Sequence, residues 1–197
     1  MASQNGTTYG YTGLFPIAVA QSSSLRTYLR SLDDSQRYPR GSPLSNVPII
    51  HMARLAVIDT LPCQEMPARV DALKSHYLLF ACDFDGGGVD VLIRDMVRHV
   101  PDQLTAIWGH CIRFPGTPSC DLLAAYFERC QLETNLFLAD QPQASVNDIL
   151  MGLMCRRRLG DFMRQLQHKP RDPAVLKRGF QLLWRSLQSV RPLPGEL

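Results

Sequence analysis

Residues 47–59 read VPIIHMARLAVID, and the alternation within them decides how the rest of the chain is arranged. Ile50, Met52, Arg54, Ala56 and Ile58 fall on one side of an extended chain and His51, Ala53, Leu55 and Val57 on the other, because successive strand residues point to opposite faces. Both sets are largely apolar, which predicts a strand covered on both faces. A second strand, 77–84 (YLLFACDF), places Leu78, Phe80, Cys82 and Phe84 on one side and Tyr77, Leu79, Ala81 and Asp83, continued by Asp85, on the other. Gly86-Gly87-Gly88 interrupts it. Leu92, Ile93, Met96, Val97 and Val100 then recur at helical spacing, so a strand-to-helix turn is predicted.

Working outward, Tyr9–Ala20 has strand-like density, with Pro16 removing one ladder donor. Ser22, Ser23 and Ser24 offer N-cap hydroxyls to a short helix carrying Leu25, Tyr28, Leu29 and Leu32, which ends near Asp33 and Asp34. The stretches 36–48 and 60–75 are predicted loops. On the C-terminal side, Pro101 stops the glycine-led helix and 108–118 is irregular. A helix over Asp121–Cys130 follows, then a strand over Thr134–Ala139 that ends at Gln141-Pro142. Ser145, with Asp148 three residues on, approximates a capping box for a helix running through Leu166. Pro170 and Pro173 precede a last amphipathic helix with Val175, Leu176, Phe180, Leu183, Trp184 and Leu187.

The order contains β-α-β-β-α-β, the ferredoxin-like pattern. The expected fold is α+β, with a ferredoxin-like domain over residues 1–140. Two added C-terminal amphipathic helices, 141–197, pack on it or on a second subunit.

Three segments, IIHMARLAVID (49–59), LLFACDFDG (78–86) and AIWGHCIRFPG (106–116), resemble an uncharacterised bacterial group with an H-x-x-R strand, an F-D-G turn and a later H-C element. They are loosely similar to dimeric α+β barrel proteins and to the ferredoxin-like modules of dye-decolourising peroxidases. The likeness covers about residues 12–140. Those peroxidases carry a longer G-x-x-D-G context than Cys82–Gly86, and this chain is too short for their two-module form. The resemblance implies a homodimer whose second sheet faces enclose a small-molecule chamber. Haem enzymes, monooxygenases, isomerases and plain binding proteins all occur on that scaffold, and fold does not choose among them.

Five polar residues stand out as candidate site residues. His51 reads as a haem or metal ligand or a general base, because imidazole titrates near neutral pH. Arg54 reads as an anion clamp through its fork of donors. Their odd and even positions place them on opposite faces unless a bulge intervenes. Asp83 and Asp85 share a strand face as an acid–base pair; one could instead bind Arg54 across the adjacent strand, and a structural ion pair or a helix-entry cap at Asp85 is the competing reading. His110, in Trp108–Arg113, is the second candidate haem or metal ligand. His76, His99 and His168 read as solvated. The triple glycine matches neither phosphate-loop spacing, and H-E-x-x-H, G-x-S-x-G and S-x-x-K are absent, which disfavours the corresponding enzymes.

At 197 residues with 45% hydrophobic and 20% charged residues, the composition is that of an ordinary globular chain. The start carries no basic residues or long apolar run, so a cytoplasmic location is expected and no membrane partner. The six cysteines lack zinc spacing and read as reduced core residues. The net charge of +3 is unevenly spread. Residues 155–191 hold ten Lys and Arg against two Asp, or +8, and the remainder holds eleven basic and sixteen acidic residues, or −5. Such a tail suits docking within the chain or a dimer, and nucleic acid ranks lowest. The leading expectation is a small-molecule enzyme, with haem-dependent oxidoreductase chemistry as one form. The alternative is a non-catalytic ligand-binding or protein-assembly module that uses the basic helices.

Overall fold

The computed structural model describes residues 3–32, 42–61, 71–166 and 172–192. The predicted helix end at Asp33 and Asp34, the loop parts at 36–41 and 62–70, Cys63 and His168 lie outside these residues.

The architecture is α+β. Strand β1 (Ser3–Asn5) and β2 (Thr8–Ile17) form a hairpin, followed by α1 (Ser22–Ser31), β3 (Ile50–Leu61) and β4 (Asp71–Asp85). Helices α2 (Val89–His99), α3 (Pro101–Trp108), α4 (Cys120–Cys130), α5 (Val146–Leu166) and α6 (Pro173–Gln188) complete the chain. The sheet is wholly antiparallel, in the order β1-β2-β4-β3.

Several expectations need correction. Thr134–Ala139 is not a strand. Gln131 makes an isolated bridge to Gly13, and the Leu132 N–H reaches the Thr12 carbonyl at 2.8 Å. Beyond that point the chain leaves the sheet edge, and β1 supplies the fourth strand instead. Pro101 stops one helix by opening another, occupying the first turn of α3, where its missing N–H costs nothing. His76 lies within β4 and its Nδ1 is 2.9 Å from Ser22 Oγ, so it is a half-buried structural residue. Ser22 and Ser24 do not cap α1; their hydroxyls bond back to the Val19 and Gln21 carbonyls.

Pro16 sits within β2 without breaking it. Its carbonyl accepts the Ile112 N–H at 2.8 Å, so its backbone edge faces away from β4 and the missing N–H breaks no rung of the β2–β4 ladder. At the other end of β4, Gly86 has φ +127°, and a β-carbon there would lie 2.9 Å from Val91. The turn into α2 therefore needs a residue without a side chain.

One sheet face carries the core. Phe15, Phe80, Trp108 and Phe127 are fully buried, with centroids 4.8 Å apart for Phe15–Phe127 and 5.2 Å for the perpendicular Phe80–Trp108 pair. Such geometry adds about 0.5–1.5 kcal/mol per pair beyond burial. Tyr11 enters the same cluster, and its buried hydroxyl donates to the Phe127 carbonyl at 2.8 Å. Burial pushes its pKa far up, so it stays a neutral donor. Helix α4 packs on β2, α1 on β3, and α2 against α3 and α4.

Among the described residues, the part of the opposite face away from α5 is open. Register aligns Thr12–Ala81–Arg54, Leu14–Leu79–Ala56 and Pro16–Tyr77–Ile58 across β2, β4 and β3. Within the chain β3 is therefore not covered on both sides: Ala53, Leu55 and Val57 pack on the core, whereas Met52, Arg54 and Ala56 are exposed.

Candidate functional site

A bulge in β3 builds the site. Ile50 pairs with Phe84 and Met52 with Asp83, leaving His51 as the extra residue between them. The extra residue shifts the alternation by one place, so His51 joins Met52 and Arg54 on the open side. This meets the condition under which His51 and Arg54 share a face.

His51 Nε2 lies 2.7 Å from Asp85 Oδ1, with both side chains mostly buried. The second oxygen, Asp85 Oδ2, accepts the Val146 N–H at 2.8 Å, the first residue of α5. Asp85 is thus a helix anchor, though for α5 and not for the helix that follows it in sequence. A carboxylate at a helix N-terminus satisfies an orphan amide and faces the positive end of the dipole. The Ser145–Asp148 box completes the cap. The Ser145 N–H and hydroxyl donate to Asp148 Oδ2 at 3.0 and 2.6 Å, and the Asp148 N–H returns a bond to Ser145 Oγ at 3.1 Å. Those bonds hold the Asp148 carboxyl below its ordinary pKa.

Between the open sheet face and α5 lies a cleft of about 770 Å³. Thr8, His51, Met52 and Asp83 line it from the sheet, and Ile149, Leu153 and Arg156 from α5. The strap 138–141 closes one side. It is seated by Phe137, whose ring lies over Gly10, where a β-carbon would come within 2.7 Å of it. A smaller recess of about 190 Å³ adjoins and contains Arg54 and Thr134, with Met52 and Asp83 shared between the two. The pKa of Asp83 is raised, chiefly by burial, against the lowering effect of His51 and Arg54.

His51, Arg54, Asp83 and Asp85 therefore come together. His110 does not. It is bonded through Nδ1 to Gln21 Oε1 at 2.7 Å, beside the Ile17–Cys111 bridge at the far end of β2. Gly10, in the cleft row, and Ile17 are seven strand residues apart, about 23 Å at the usual rise. The two histidines serve no common ligand. Among the described residues, no three His, Cys, Asp or Glu side chains gather as a metal site.

Sequence reasoning missed the α5 wall. Arg156 was visible only as part of a basic run and Asp148 only as a cap. No local signal says that α5 crosses the sheet.

This is an α+β protein with a His–Asp pair set into a cleft on the open face of a four-stranded antiparallel sheet. The chain matches no protein-family model, no curated protein and no solved structure. No helix among the described residues is long and apolar enough to cross a membrane.

Proposed function

We propose that the chain is a small-molecule enzyme working by proton transfer, with His51 as general base and Asp85 as its positioning partner. The observation that supports this is the 2.7 Å His51–Asp85 pair at the cleft wall. Asp85 Oδ2 accepts the Val146 N–H, and Oδ1 faces His51 Nε2. An ionised carboxylate has no proton to give, so His51 Nε2 carries the hydrogen and Nδ1 of the neutral ring is the basic nitrogen. On taking a proton the ring becomes an imidazolium whose charge Asp85 offsets. Arg54 and Arg156 favour a substrate bearing a carboxylate or phosphate, which guanidinium binds through paired donors. Asp83, with its pKa raised, is the neighbouring carboxyl suited to returning a proton.

The scaffold supports a ferredoxin-like reading, since β2-β4-β3 has the order of the first, third and second strands of that fold, with β1 in place of the last. The haem that the resemblance implies does not fit these residues. The cleft's histidine has Nε2 committed to Asp85, which leaves that nitrogen unable to ligate an iron. Proton transfer requires no haem.

The test is proton exchange. A panel of small oxo acids incubated with the protein in deuterium oxide is followed by NMR for loss of the signal beside the carbonyl. Exchange that His51→Gln lowers at least 100-fold supports the reading. Exchange unchanged in His51→Gln, or none with any oxo acid, overturns it.

A further inference from the structure

Helix α6 presents aromatic and basic residues together on its exposed side. Lys177, Phe180 and Trp184 fall at i, i+3 and i+7, one line along the helix, and all three are exposed, Phe180 by 47% and Trp184 by 54%. The two rings stack, with centroids 6.5 Å apart and planes 19° from parallel. Helix α6 packs on α5, where Phe180 meets Phe162 at 6.3 Å. Leu187 is buried and Leu176 and Leu183 are half-buried, so the Phe180–Trp184 line is the rim of the apolar face. Round the helix from that rim come Gln181 and Gln188, and then the exposed Arg178 and Arg185. From 173 to 191 the chain has four basic residues and no Asp or Glu.

A helix that only packs on a core buries its indole, and one that only faces water interleaves acids with its bases. An apolar rim that passes into an uncompensated basic flank is the distribution of a helix lying in a lipid–water interface.

We propose that α6 is a membrane-surface contact, lying flat on an anionic bilayer. Phe180 and Trp184 enter at the depth of the headgroups, and Lys177, Arg178 and Arg185 meet the lipid phosphates and carboxylates. Indole suits that depth, because its ring is apolar and its N–H is a donor. Lys177, beside the rings, reaches the headgroups along its apolar stem. The surface is a convex helix flank, which a bilayer accepts along its whole length, whereas an acidic protein would need a groove of its own to take the rings. The expectation of no membrane partner rested on the lack of a leader or a spanning run, and a helix lying on the surface needs neither. The contact uses no cleft residue and stands independently of the proton-transfer reading.

Vesicle binding tests it. The whole chain is sedimented with vesicles of phosphatidylcholine alone, or of phosphatidylcholine and phosphatidylserine two to one. Binding should be about 10-fold tighter or more on the anionic vesicles and should weaken with salt. Tryptophan emission should move to shorter wavelength on binding. Trp108 is fully buried, so the shift reports Trp184. Each basic residue near such a surface is worth roughly fivefold, so Lys177→Gln with Arg178→Gln and Arg185→Gln should weaken binding about 100-fold. All three side chains are exposed, and this variant should keep the wild-type circular dichroism and melting temperature. Trp184→Ser should also weaken binding, with every charge in place. No preference for anionic vesicles, binding without an emission shift, or undiminished binding by either variant would overturn the proposal. So would polyglutamate that shifts the Trp184 emission as far as the vesicles do, since the surface would then be fitted to an acidic protein.

Discussion

His51 Nε2 and Asp85 Oδ1 are 2.7 Å apart because a single extra residue in β3 carries the imidazole to the face on which Asp85 already stands. The other oxygen of that carboxylate holds the first amide of α5, so one side chain ties together an edge strand, the end of β4 and the helix that walls the cleft.

Asp85→Asn replaces one acceptor oxygen by a donor and removes the charge at the α5 N-terminus. Loss of a bond from a buried group costs about 1–3 kcal/mol. The expected result is a lower urea midpoint together with faster hydrogen exchange at the Val146 amide. Equal exchange in variant and wild type would show that α5 is held by its apolar contacts and its Ser145–Asp148 box alone.

Asp83→Asn tests the carboxyl whose pKa burial raises. A raised folded-state pKa means the ionised form is the disfavoured one in the native protein. Its cost is absent below the unfolded carboxylate pKa and develops as pH rises toward and through the folded value. The variant should therefore melt higher than wild type above the folded value, and the gap should close on acidification to below the unfolded carboxylate pKa. A gap that widens on acidification would mean that Asp83 is a net acceptor of stabilising charge.

Gly10→Ala sets a methyl group where the Phe137 ring now lies, 2.7 Å from the position its carbon would take. The ring and strap 138–141 should lift from the sheet, opening the cleft, while the core on the other face keeps its packing. Hydrogen exchange should rise across 136–141 with the amides of β4 unchanged. A crystal structure of the variant with Phe137 in place would contradict this account of the strap.

Phe127→Ala empties the centre of the aromatic cluster, where Phe127 meets Phe15, Trp108 and Tyr11. Substitutions of this kind cost about 3–5 kcal/mol, and chemical denaturation should report that loss. A cost under about 1 kcal/mol would place the stabilising core elsewhere.

Much of the element pattern was legible from spacing. Alternation over 50–58 and 77–85 marked two of the strands, the triple glycine marked the entry to α2, and Ser145 with Asp148 marked the head of α5. Thr134–Ala139 was misread because an extended, apolar segment looks the same whether it pairs in a sheet or crosses over one. Phe137 packs over Gly10, a contact between residues more than a hundred positions apart. The bulge at His51 was named only as a condition, since no local preference distinguishes an extra residue from a regular one.

What the amino-acid order determined by itself was therefore local. It set the side-chain period of β3 and β4, the helical faces, the caps and the separation of a basic tail from an acidic body, all of which depend on neighbours a few residues away. The tertiary structure alone decided that His51 meets Asp85, that His110 stands far from both, that β1 supplies the fourth strand and that α5 walls a cleft on one sheet face. These follow from pairing register and from how distant segments pack, and a shift of one residue in register exchanges every face.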